Sequence, residues 1–154
     1  MIDCHLHCWT PGDGFPVRIR RRFPRLDRAF GLAEAAPLCR DAGVSGVVLV
    51  SSAQDADETD RLFSEARCGA VPVAGIVGFL DPATDDLEAR LERWMSNALF
   101  AGLRLPLPVM PPGWLEAPDT QILLDHMGRC GLIVEILARP EHLPEVLDTL
   151  LRRP

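Results

Sequence analysis

The chain has no Cys-x-x-Cys spacing, no apolar run long enough to span a bilayer and no excess of positive charge. Each shortage removes a class of function. Five cysteines form an odd count without framework spacing, which reads as reduced, mostly buried thiols rather than a disulfide scaffold. A membrane helix needs about 18 consecutive apolar residues, and no stretch reaches that length. The opening residues do not read as a signal peptide either, because Asp3, His5 and His7 interrupt any apolar core. These features set the expectation of a cytoplasmic protein. A net charge of −6 speaks against nucleic acid or an anionic membrane as partner. The one basic cluster, Arg18-Ile19-Arg20-Arg21-Arg22 with Arg25 and Arg28, lies in a Pro- and Gly-bearing loop. It fits a solvated loop, or a cap over an anionic substrate, better than a nucleic-acid patch.

What is present begins at the first nine residues, Met1-Ile2-Asp3-Cys4-His5-Leu6-His7-Cys8-Trp9. If the segment is a strand, side chains alternate faces, so His5 and His7 point the same way while Cys4 turns away from them. Two imidazoles side by side can share one divalent cation or one polarised substrate group. The run breaks at Thr10-Pro11-Gly12-Asp13-Gly14, a loop signal that opens a loop insertion over residues 10–30.

A regular rhythm follows. Helices are expected over 32–42, 55–68, 81–99, 118–130 and 140–151, and strands over 44–50, 71–79, 101–105 and 132–137. The β-branched run Val47-Val48-Leu49-Val50 is typical of a strand covered on both faces. With the opening strand this makes five βα units in one domain, residues 1–154, and the alternation implies a parallel sheet with helices outside it. A doubly wound sheet usually places a Gly-rich phosphate turn after its first strand. His5-Leu6-His7 stands there instead, which favours a (β/α)8 TIM barrel. Such a barrel takes eight units and about 250 residues, so the expectation is a partial barrel of about the first five units.

The order of motifs resembles one family over almost the whole chain. Ile2-Asp3-Cys4-His5-Leu6-His7-Cys8-Trp9 is similar to the IDxHxHxW opening of the amidohydrolase-2 branch of the amidohydrolase superfamily. Gly43-Val44, Val47 to Val50 and Glu58-Thr59-Asp60 resemble the GV…VLVQ…ETD segment of its sugar-lactonase group, which includes L-fuconolactonases and 2-pyrone-4,6-dicarboxylate lactonases. Val73 to Asp81 resembles the GVVGWVDL strand, Gly102-Leu103-Arg104 the G-I-R, and Gly131 to Leu137 the GLxFDLL strand.

The resemblance implies a barrel that hydrolyses a cyclic ester, such as a sugar or dicarboxylate lactone, or a cyclic amide, with its site at the C-terminal ends of the strands. His5 and His7 would be ligands of a divalent metal, zinc or manganese, or would polarise the substrate directly in a metal-independent member. Arg104 would clamp a carboxylate or the lactone oxygens. Glu135 carries over as the acidic, catalytic residue of the fifth strand, and a buried pair with a neighbouring arginine fits it equally well. Trp9 fits a pocket wall or a packed core position, and Asp81 a site carboxylate or a helix N-cap. Leu105 stands where the family's GIRH offers a histidine, and Ser51 stands in place of the glutamine of VLVQ. His126 and His142 fall in expected exterior helices. The family's general base lies on strands six to eight, so an isolated chain of this length is expected to be inactive. A small molecule is the expected substrate, with a second copy or a companion chain completing the barrel. The alternatives are a non-catalytic partial barrel serving as a binding or assembly module, and a truncated fragment.

Overall fold

The computed structural model describes residues 1–12 and 17–153, with the side chains of residues 17, 18 and 20 outside the described set. Asp13 and Gly14 of the loop signal, and the side chains of Arg18 and Arg20 in the basic cluster, therefore lie outside the described residues.

Five strands, β1 (Ile2–Leu6), β2 (Gly46–Val50), β3 (Val73–Gly78), β4 (Phe100–Pro106) and β5 (Ile133–Leu137), form one parallel sheet in the order β1-β2-β3-β4-β5. Helices α2 (Leu32–Asp41), α3 (Ala56–Ala66), α4 (Leu87–Met95), α5 (Pro118–Arg129) and α6 (Leu143–Leu151) alternate with them. Right-handed crossovers between strands that neighbour in sequence order carry every helix to the same face of the sheet. A doubly wound sheet instead reverses its strand order at a switch point. The observed order is that of a (β/α)8 barrel, of which the chain forms the first five units.

The described residues of 10–30 hold a short helix, α1 (Val17–Arg22), and a 3-10 turn at Pro24–Leu26. The helix expected from residue 81 starts later, at Leu87. The carboxylate of Asp81 accepts the backbone N–H of Ala83 at 3.0 Å, and the Asp81 carbonyl accepts that of Thr84 at 3.1 Å. This local turn competes with the helix and delays it. Helix α2 ends where expected, at Gly43, whose φ of 68° suits a residue without a Cβ.

The core lies between sheet and helices. Val47, Leu49, Ile76, Leu103, Leu123 and Met127 are each fully buried there. Trp94 of α4 is buried beside them, and its indole N–H donates to Asp60 at 2.8 Å, which removes the cost of an unpaired polar group. The interior strand β2 is covered on both faces, whereas β1 and β5 at the margins are only partly covered.

Candidate active site

The candidate side chains gather towards the C-terminal ends of the strands, His7 just past β1, Arg104 late in β4 and Glu135 midway along β5. His5 and His7 share a face of the opening strand, with Nε2 atoms 3.2 Å apart and rings at right angles. The His7 Nδ1–H donates to the Val50 carbonyl at the end of β2, at 2.7 Å. That bond fixes the tautomer and leaves the Nε2 lone pair facing the site. Burial lowers the proton affinity of His7 below the ordinary 6.5, opposed by the Val50 bond and assisted by the Arg104 and His5 charges. His7 is therefore a neutral imidazole near pH 7.

Arg104 reaches this corner from β4. Its Nη1 donates to the Ser51 carbonyl at 3.0 Å and stands 3.4 Å from His7 Nε2. Its Nε lies 3.3 Å from Glu135 Oε1, close enough for an ion pair but out of line for a hydrogen bond. Glu135 also lies 3.8 Å from His5 Nδ1. The four residues thus form a chain of charge and dipole from β5 through β4 to β1. Beside it opens a cavity of about 240 Å³, lined by His7, Ser51, Phe79, Arg104 and Leu137 among others, with Ile19 of α1 at its wall.

The other expected residues are placed elsewhere or act differently. Trp9 packs on Phe30 with ring centroids 4.5 Å apart, donates to the Leu26 carbonyl at 3.2 Å and lines a separate cavity of about 200 Å³. Asp81 is exposed and engaged in its own turn. Ser51 is buried at the cavity wall, its hydroxyl donating to Glu58 with the Ala53 carbonyl 3.0 Å from the same oxygen. His126 lies on α5, 3.6 Å from Cys130 Sγ, and His142 accepts the Arg139 N–H before α6, both apart from this corner.

Glu58 escaped the reading of the sequence as a site residue. The signal was its position in the first turn of α3, the third residue of a helix that follows the small turn Ser51-Ser52-Ala53. Each residue of Glu58-Thr59-Asp60 ties α3 to another element. Glu58 holds that turn, Thr59 Oγ1 bonds both the N–H and the carbonyl of Phe79 after β3, and Asp60 takes the Trp94 and Arg93 donors of α4.

Two nitrogens bound to one tetrahedral zinc at 2.0–2.1 Å stand about 3.3 Å apart, so the His5–His7 spacing fits two ligands of one ion. Catalytic zinc normally takes a third protein ligand. Among the described residues, no group of three His, Cys, Asp or Glu is placed to hold an ion. None of the described helices is long and apolar enough to cross a membrane.

The five sequential βα units define the class as a (β/α)8 barrel, with the HxH–arginine corner towards its strand ends. Residues 2–153 match the family model described as amidohydrolase, and the chain belongs to that family. Among solved structures it is similar to an amidohydrolase from Burkholderia multivorans, seen with bound zinc and, in another crystal form, with bound HEPES. In both forms the TM-score is 0.88 at 22% identity, over 98% of this chain and 53% of the other. It is also similar to a probable 2-pyrone-4,6-dicarboxylic acid hydrolase from Acinetobacter baumannii with citric acid bound, with a TM-score of 0.73 at 18% identity over 99% of this chain and 54% of the other. The chain thus spans about half the length of these structures. Among curated proteins, none matches it.

Proposed function

We propose that this chain supplies the polarising half of a hydrolase site that opens a cyclic ester or cyclic amide. The observation that carries the reading is the convergence of His5, His7 and Arg104, with His7 Nε2 3.2 Å from His5 and 3.4 Å from Arg104. A substrate carbonyl oxygen set into this corner accepts hydrogen bonds from the guanidinium and from His5, and these strengthen as the oxygen gains negative charge. Water adds to the carbonyl carbon, the ring C–O or C–N bond breaks, and a carboxylic acid and a hydroxyl or amine result. Glu135 holds Arg104 in place from the next strand. A zinc or manganese ion would be held by His5 and His7 with a third donor from further polypeptide, and would supply Lewis-acid polarisation of the same oxygen. The zinc bound in the Burkholderia neighbour supports the choice of metal.

The base that activates water is assigned to polypeptide beyond these five units, since the structural neighbours extend to nearly twice this length. That polypeptide, a companion chain or a second copy, would cover the outer edge of β5, where Ile133 is 56% exposed, and the face of α6 that leaves Leu147 58% exposed. Exposed apolar strand edges invite pairing. The substrate favoured is a carboxylated lactone, in keeping with Arg104 and with the pyrone dicarboxylate named for the Acinetobacter neighbour. Native mass spectrometry of the protein purified without chelators, followed by a lactone hydrolysis panel, tests the reading. A species heavier than the chain that hydrolyses a lactone supports it, and hydrolysis by the lone chain refutes the assignment of the base.

A further inference from the structure

We infer that Glu58 is a positioning residue that sets both His7 and Arg104 through the turn at Ser51, Ser52 and Ala53. Its carboxylate is 2% exposed and accepts four donors. The Ser52 N–H lies 3.0 Å and 2.9 Å from its two oxygens and the Ala53 N–H 2.8 Å from Oε2, and the hydroxyls of Ser51 and Ser52 complete the set. An ionised carboxylate offers about four acceptor sites, so Glu58 has no capacity left for a ligand or a proton relay. What it fixes is the path of the chain as it leaves β2. Two consecutive carbonyls of that path touch the site, with Val50 accepting from His7 Nδ1 at 2.7 Å and Ser51 accepting from Arg104 Nη1 at 3.0 Å. One buried side chain thereby holds the tautomer of one site residue and the direction of another. A loosened turn would release both at once, a coupling that neither residue shows from its own contacts.

This inference rests on the hydrolytic reading only in treating His7 and Arg104 as the working corner, and its test needs no turnover. In Glu58→Gln one acceptor oxygen becomes an NH₂ donor facing N–H and O–H groups, so the set cannot be satisfied. Nitrogen-15 NMR of the whole protein reads the tautomers of its four histidines and the exchange of the Arg104 Nη1 protons that bond Ser51. The expected result is loss of the single Nδ1–H tautomer at His7 and at least tenfold faster exchange at Arg104, with His126 and His142 unchanged. A folded Glu58→Gln with His7 and Arg104 as in the wild type overturns the inference. Should that variant fail to fold, Ser52→Ala removes one hydroxyl donor and is expected to move the same two signals less far. No movement in Ser52→Ala likewise overturns it. Absence of hydrolysis in the wild type would count against the functional reading and leave this result standing.

Discussion

Arg104 and Glu135 face each other directly across β4 and β5, paired residue to residue in the parallel register, with Nε and Oε1 3.3 Å apart. The sheet register itself sets this ion pair. Arg104 is 12% and Glu135 26% exposed in their side chains, so the pair is partly desolvated. Glu135→Gln leaves a largely buried guanidinium without its counter-charge and is expected to cost about 1–3 kcal/mol. Chemical denaturation measures it, and a midpoint equal to that of the wild type would mean that the pair adds nothing.

The pH dependence of stability should carry the signature of His7. Its folded-state proton affinity lies below the ordinary 6.5, chiefly through burial. As pH falls through about 6.5 the unfolded chain takes up a proton that the folded chain refuses, so stability declines from there down through the lowered value. Above that window the residue contributes no slope. Thermal melts of wild type and His7→Asn between pH 8 and 5 should show the wild type losing more stability on acidification. Parallel curves would contradict this.

The thiols should divide by exposure. Cys4, Cys68 and Cys130 are exposed, whereas Cys8 and Cys39 are buried. Burial, with the Glu65 charge second, pushes the Cys8 thiol up to about 12, so its reactive thiolate is scarce at neutral pH. Alkylation of the native protein at pH 8 followed by mass spectrometry should add label at the three exposed positions only, and unfolding should open the other two. Rapid native labelling of Cys8 would contradict the packing described.

Two glycines should respond oppositely to alanine. A Cβ on Gly102 would stand 1.9 Å from the carbonyl oxygen of Ile133, its register partner on β5. Gly102→Ala must push two strands apart and should cost about 3 kcal/mol or more, or prevent folding. Gly128 in α5 meets nothing within 4 Å, and Gly128→Ala should stabilise by about 0.5–1 kcal/mol through helix propensity. Equal melting temperatures for the two variants would contradict this.

The fold was legible because its signals are local and repeated. The continuous apolar run ending at Val50, the turn at Gly43 and the missing phosphate loop after His7 together indicate a sequential parallel sheet, and the observed strand order is of that kind. The spacing of His5 and His7 implies one shared face, since strand alternation needs no tertiary information. What escaped depends on distant partners. Trp9 meets Phe30 across a 21-residue excursion whose internal helix α1 lacks a strong periodic pattern. Asp81 binds its own backbone, and α4 therefore waits until Leu87. Glu58 reads as one acid among several at a helix start, and only the folded turn shows four donors converging on it.

The most direct test is lactone and cyclic-amide hydrolysis by the assembled protein, wild type against His7→Asn and Arg104→Met. Losing one preorganised group that stabilises developing charge typically costs about 10²–10³ in turnover. The account expects losses of that order in both variants while the fold, read by circular dichroism, is retained. Wild-type rates in either folded variant, or no hydrolysis of any cyclic ester or amide by the assembled wild type, would contradict it.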